Sequence, residues 1–97
     1  MLRGSKTVAE AIGNTPLIRL NQLTRDLPAN VEVYAKAEWM NPGGSVKDRA
    51  ARGIVLDAIA AGRLQEGGVL LDASSGNTGI AYAMLAPALG FTLKLCL

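Results

Sequence analysis

Three apolar runs, two of them ending in a polar loop that contains glycine, constrain this chain more than any other feature. The first, Val31–Trp39, alternates strand-forming residues with Glu32, Lys36 and Glu38, then breaks at Asn41-Pro42-Gly43-Gly44. The second is Val69-Leu70-Leu71, ending at Asp72-Ala73 and followed by Ser74-Ser75-Gly76-Asn77-Thr78-Gly79. Its shortness favours a strand over a helix. Each loop opens into a helical pattern, and Phe91–Leu97 supplies a further strand. The order strand, loop, helix, strand, loop, helix, strand predicts an α/β fold, with a parallel sheet joined by crossover helices.

The first helix has a marked start. Ser45 suits the N-cap, and Asp48 can answer it as a capping-box variant. Val46, Ala50, Ile54, Ala58 and Ala61 fall at helical spacing, with Ala51, Val55 and Ile59 widening the face. Asp48 and Arg52 are spaced as an ion pair on the solvent side, and Gly62 ends the helix. Ile80–Leu89 reads as a second, buried helix, but Pro87 lies inside it. A proline there costs about 3 kcal/mol or kinks the helix, so a bend near Ala83 or an earlier end is expected. Upstream, Thr7–Ile12 suits a short helix ended by Gly13-Asn14, and Pro16 starts an extended piece, Leu17–Leu20.

Composition removes several classes of function. With 97 residues, 49% of them hydrophobic, the chain can bury one modest core. Its net charge of +2 comes from interspersed residues, so no nucleic-acid-binding stripe is present. The absence of histidine excludes a Ser-His-Asp triad, a Cys-His pair and every His-based zinc site, and no metal centre is expected. The single cysteine, Cys96, allows neither an intrachain disulfide nor a CxxC site and is expected as a buried thiol. The basic N-terminus has no apolar segment behind it, so no targeting peptide is read. Ala73–Leu93 lacks charge, yet its serines, Asn77, Thr78, glycines and Pro87 fit a soluble interior better than a membrane span.

In such folds ligands gather where strand ends feed helix starts, and both polar loops stand at such places. The first loop is not a phosphate-binding GxxxxGK[ST] segment. It places Lys47 in the first helical turn, where the positive end of the helix dipole and nearby Arg49 disfavour the charged amine. A neutral amine is what Schiff-base chemistry requires, whereas a solvated surface lysine is the plainer alternative. The second loop is not the GxGxxG dinucleotide fingerprint, because Ser74 stands where the first glycine is needed. Free N–H groups at a helix start beside Ser and Thr hydroxyls suit an anion. With no Lys or Arg in the loop, a carboxylate fits as well as a phosphate.

Gly13-Asn14-Thr15-Pro16-Leu17, Asn41 through Arg49, and Ser75-Gly76-Asn77-Thr78-Gly79 occur in this order and spacing. Together they resemble the cysteine synthase (O-acetylserine sulfhydrylase) and cystathionine β-synthase family of pyridoxal-phosphate enzymes, from about Val8 to Leu97. The resemblance implies the type II pyridoxal-phosphate fold (tryptophan synthase β-like, three-layer αβα), incomplete here. By that resemblance, Lys47 holds the cofactor as a Schiff base and Asn77 bonds its ring hydroxyl. Ser74, Ser75, Asn77 and Thr78 match the loop that grips the substrate α-carboxylate, although relatives more often carry Thr where Ser74 stands. Val46 favours this branch, since threonine dehydratases, serine racemases and threonine synthases generally have Phe before the lysine.

The implied reaction is a β-replacement. An activated serine such as O-acetylserine displaces Lys47 from the cofactor, the freed amine takes the α-proton, acetate leaves, and sulfide adds to give cysteine. A cystathionine β-synthase-type or other related lyase, and a non-catalytic piece that binds a carboxylate or a partner, are the alternatives. The resemblance also implies a second Gly-rich loop for the cofactor phosphate and a hydroxyl residue at the pyridine nitrogen, both beyond Leu97. Residues 1–97 are therefore expected to be the N-terminal portion of a cytoplasmic, two-domain enzyme that is a homodimer when complete.

Overall fold

The computed structural model describes residues 2–97. Leu17–Arg19 (β1) and Tyr34–Lys36 (β2) pair antiparallel in the register Leu17↔Lys36, Ile18↔Ala35, Arg19↔Tyr34. Flanking bonds lengthen this ladder, from Leu20 N–H to Val33 O (3.0 Å) and from Ala37 N–H to Pro16 O (2.9 Å). Pro16 offers only a carbonyl and so suits the margin of the ladder. Glu38–Met40 then forms one 3-10 turn.

The regular α/β unit follows. Lys47–Ala60 (α1) leads to Val69–Ala73 (β3), then Asn77–Leu89 (α2) and Thr92–Cys96 (β4). β3 and β4 are parallel, from Val69↔Thr92 to Ala73↔Cys96, with α2 as the crossover between them. This is the parallel strand–helix–strand unit that the sequence predicts. The earlier strand behaves differently: of Val31–Trp39 only Tyr34–Lys36 is regular, and it pairs with β1 in a sheet of its own. Its alternation of apolar and polar residues is the mark of a half-wetted antiparallel pair, unlike the continuous Val69-Leu70-Leu71 run.

Glycines end both helices, and Gly62 does so where the sequence predicts. Gly62 is left-handed at φ +74, and the N–H groups of Gly62 and Arg63 return to Ile59 O and Ala58 O at 3.0 and 2.9 Å. That double bond satisfies carbonyls the helix would leave open. Gly90 (φ +78) repeats the device at the end of α2, where Phe91 N–H bonds Ala86 O at 3.1 Å and the Phe91 ring enters the core.

The core lies where α1, α2 and the inner face of β3–β4 meet. Tyr82, Leu85 and Val55 are the largest fully buried apolar side chains, joined by Ile12, Ala51, Leu64, Ala81, Ala86 and Phe91. Leu70, Leu93 and Leu95 pack onto them from the sheet. Burying a side chain the size of Leu85 contributes roughly 2 kcal/mol. The period of two then sends Val69, Leu71, Ala73, Lys94 and Cys96 outward into solvent. Cys96 is thus exposed rather than a core thiol, because nothing among the described residues covers that face. The radius of gyration is 17.3 Å, against about 13 Å for a compact domain of this length, so the core is a small part of a spread-out molecule.

Three local expectations need correction. The buried line of α1 is Asp48, Ala51 and Val55, with Ala58 partly covered, while Val46, Ala50, Ile54 and Ala61 face solvent. The helix is turned so that the Asp48 carboxylate can reach Gly43 N–H at 2.6 Å. Asp48 therefore neither boxes with Ser45 nor pairs with Arg52; Val46 holds the cap position, and Arg52 donates to Ala9 O and Ile12 O, both at 2.9 Å. Thr7–Ile12 makes a single turn instead of a helix, although Thr7 and Glu10 bond each other's backbone N–H reciprocally, as in a capping box. Finally, α2 starts at Asn77 and runs through Pro87 to Leu89. Ala83, whose carbonyl loses its helical partner to Pro87, is exposed, so water can take that bond.

Candidate active site

The first two motifs are tied into one polar network. Arg49 meets Glu38 in a two-point pair, Nε to Oε2 at 2.8 Å and Nη2 to Oε1 at 3.0 Å. Thr15 Oγ1 donates to Glu38 Oε1 at 2.8 Å and accepts from Arg49 Nη2 at 3.3 Å. Buried Asn41 accepts Gly13 N–H on its Oδ1 (2.8 Å). Its Nδ2 reaches Glu38 O, Glu38 Oε2 and Ser45 O at 2.8, 2.8 and 3.1 Å. Lys36 Nζ closes the assembly on Thr15 O. The Arg49 hydrogen bonds, opposed by burial and helped by Asn41 and Thr15, lower the Glu38 carboxyl from 4.5 to about 2. The same pairing raises the Arg49 guanidinium.

Lys47 stands as the first residue of α1 and is exposed. Among the described residues its amine makes no ion pair or hydrogen bond, while its backbone N–H donates to Ser45 Oγ at 3.2 Å. Its neighbours are held: Ser45 by Asn41, Asp48 by Gly43, and Arg49 by Glu38. An unpaired amine therefore projects from a fastened turn.

The second loop sits between β3 and α2. Ser74 N–H donates to Cys96 O (3.1 Å), continuing the sheet by one bond. Ser74 Oγ accepts from Gly79 N–H (2.9 Å) and Gly76 N–H (3.4 Å), which draws the loop closed over the helix start. Gly79 is buried, and a Cβ there would lie 3.0 Å from Leu95 and 3.3 Å from Ser74 Oγ, so its small size permits that closure. The N–H groups of Ser75, Asn77 and Thr78 donate to no protein acceptor among the described residues. Ser75 and Asn77 are exposed and Thr78 half-buried. An open depression of ≈ 270 Å³ lies here, lined by Ser74, Ser75, Gly76 and Gly79 with Ile80, Ala83, Leu95 and Leu97. Lys47 is not part of its wall; it opens the neighbouring helix, and the two helices pack on each other.

The structure thus brings Ser74, Ser75, Asn77 and Thr78 together at one helix start and puts Lys47 at another. Ser74 differs from its companions, since its hydroxyl oxygen is already engaged within the loop. The Glu38–Arg49 pair was not foreseen from the sequence, although both residues flank or belong to the quoted motifs. A larger concavity of ≈ 380 Å³, between Ile59, Leu64, Gln65, Glu66, Leu89 and Phe91, is mostly apolar and offers no comparable set of donors. Among the described residues no cluster could hold a metal, and no helix is long and apolar enough to cross a membrane.

Residues 8–97 match the family described as pyridoxal-phosphate dependent enzyme. The chain is 49% identical over 96 residues to a cysteine synthase of Aquifex aeolicus, covering 98% of this chain and 29% of that protein. It is 47% identical over 89 residues to an O-acetylserine dependent cystathionine beta-synthase of Bacillus subtilis, covering 92% of this chain and 28% of that protein. A crystal structure of O-ureido-L-serine synthase superposes with a TM-score of 0.81 at 45% identity, covering 94% of this chain and 28% of the other. A lysine-to-alanine mutant of that synthase, solved with O-ureido-L-serine bound, superposes equally well at 43% identity, covering 94% and 27%. The fold is accordingly the α/β fold of type II pyridoxal-phosphate enzymes. The chain spans less than a third of the length of the curated relatives it matches.

Proposed function

Because the chain belongs to the pyridoxal-phosphate dependent enzyme family, we propose that it serves a β-replacement on an activated serine, with Lys47 as the reactive amine. The observation that carries this reading is the free amine of Lys47 on a turn whose neighbouring residues are all held in place. The residues present suit the cofactor: Lys47 offers an unpaired amine to its aldehyde, and exposed Asn77 offers an amide to its ring hydroxyl. Pyridoxal phosphate, when bound, supplies a carbonyl that captures amines and a ring that accepts an electron pair.

The chain's own groups do the rest. The unclaimed N–H groups of Ser75, Asn77 and Thr78, with the Ser75 and Thr78 hydroxyls, bind the substrate α-carboxylate at the positive end of α2. No acidic side chain in Ser74–Gly79 competes with that anion. Ser74 contributes by holding the loop in shape. Lys47, as general base, takes the proton from the substrate α-carbon and returns it at the end of the cycle. Relatives named as cysteine synthases support O-acetylserine and sulfide as the reactants, giving cysteine. The likeness to an O-acetylserine dependent cystathionine beta-synthase supports a second reading, in which the thiol of homocysteine replaces sulfide. The same reading makes residues 1–97 the first portion of a two-domain, homodimeric enzyme of the cytoplasm, in keeping with the share of the relatives' length that they cover.

Borohydride reduction after addition of pyridoxal phosphate, followed by peptide mass analysis, tests the assignment. The label is expected on Lys47, and Lys47→Ala should lose both label and visible absorbance. Labelling confined to Lys6, Lys36 or Lys94 would overturn it. Turnover of O-acetylserine with sulfide, compared with homocysteine, then separates the two readings.

A further inference from the structure

Asp48 follows Lys47 and is fully buried, an unusual place for a carboxylate. Its Oδ2 accepts Gly43 N–H at 2.6 Å, a close contact for an N–H···O hydrogen bond. Its Oδ1 is buried as well and has no hydrogen-bond partner among the described residues. A half-satisfied carboxylate is a poor way to fill a core position, where an apolar side chain of similar volume serves stability as well or better. A Cβ on Gly43 would stand 2.3 Å from Asp48 Oδ1, so the close approach depends on glycine at that position. Consecutive Cα atoms are held about 3.8 Å apart, so whatever anchors Asp48 also anchors the backbone of Lys47. Apart from the backbone bonding of α1 itself, Lys47 is held by a bond from its N–H to Ser45 Oγ that is exposed and 3.2 Å long.

We propose that Asp48 is the positioning residue for Lys47: its buried carboxylate clasps Gly43 N–H, closes the turn between them, and sets where the Lys47 amine stands. This rests on the reading of Lys47 as the reactive amine. The Gly43-Gly44 pair within the loop then has distinct duties. Gly44 takes the left-handed turn at φ +87, and Gly43 leaves room for the carboxylate.

The test compares Asp48→Asn, which still offers an oxygen to Gly43 N–H, with Asp48→Leu, which has similar bulk and no acceptor. The full chain is treated with pyridoxal phosphate and borohydride, and the rate of labelling at Lys47 is followed against Lys6, Lys36 and Lys94. Asp48→Asn should keep the Lys47 rate within about threefold, whereas Asp48→Leu should lose about tenfold or more, with the other lysines unchanged. Equal Lys47 rates in the two folded variants would overturn the inference alone. No Lys47 label in the unsubstituted chain would overturn the reading beneath it, and the inference with it. Amide exchange gives an independent check on the unsubstituted chain, needed if Asp48→Leu does not fold. Protection of Gly43 N–H by about tenfold or more supports the clasp, and exchange at the free-peptide rate overturns it.

Discussion

Arg49 and Glu38 face each other side by side, guanidinium to carboxylate, through two hydrogen bonds of 2.8 and 3.0 Å. The pair joins the start of α1 to the 3-10 turn after β2, and through Thr15 it joins both to the segment before β1. It lowers the Glu38 carboxyl to about 2, so its stabilisation is complete above the ordinary value of 4.5 and is lost as pH falls towards about 2. Both side chains are partly exposed, at 37% and 20%, so water and salt weaken the pair. Melting of the unsubstituted chain and Glu38→Gln should differ by a constant amount from neutrality down to 4.5, then converge towards pH 2. A gap that stays constant through that acid range would refute the linkage.

Two glycines near and within α1 should respond oppositely to alanine. Gly43→Ala drives a methyl group into the Asp48 carboxylate, 2.3 Å away, and should destabilise by about 2 kcal/mol. Gly53 lies mid-helix with open space beside it, so Gly53→Ala should stabilise by about 0.5–1 kcal/mol. Denaturant titration of the two variants measures both signs at once.

Adjacent serines in the second loop should separate structure from binding. Ser74→Ala removes the acceptor for Gly79 N–H at 2.9 Å and should cost about 1 kcal/mol of stability. Ser75 is exposed and bonds nothing through its side chain among the described residues, so Ser75→Ala should leave the melting temperature unchanged. In the active enzyme it should raise KM for the amino acid with little change in kcat. If Ser75→Ala melts earlier than Ser74→Ala, these assignments are reversed.

Much of the fold could be read from the chain because its signals are local. Gly62 after an apolar pattern marks a helix end wherever it occurs, and Val69-Leu70-Leu71 before a polar loop marks a parallel strand, although only Leu70 of the three is turned to the core. The rotation of α1 could not be read in this way. Val46, Ala50 and Ile54 read into one face with Ala51, Val55 and Ala58, and the side that is buried is the one on which Asp48 bonds Gly43, a contact that no periodicity encodes. Cys96 was misjudged because alternation along β4 says which residues share a face, not which face is covered. The helix-start position of Lys47 was legible from the glycine-bearing loop before it, whereas Asn77 and Thr78 read as loop and stand in the first turn of α2. The Glu38–Arg49–Thr15 cluster was not, since its members are brought together from three separate segments.

Pro87 offers a clean stability measurement. It interrupts the backbone bonding of α2 in the last turn, with an exposed side chain and an exposed Ala83 one turn before it. Pro87→Ala restores one helical hydrogen bond and should stabilise by about 1 kcal/mol. A loss of stability on that substitution would mean that the proline ring packs against something that compensates for its missing N–H.

Arg52 bonds the carbonyls of Ala9 and Ile12, which lie 43 and 40 residues earlier in the chain. The segment it holds has one turn and no regular helix or strand of its own, yet it delivers Ile12 to the core. Its placement therefore depends on a helix synthesised later. Closing so long a loop costs entropy that only a formed α1 can offset, so the beginning of the chain should dock after its middle has folded. The order of synthesis and the order of structure formation should thus run in opposite directions for this segment.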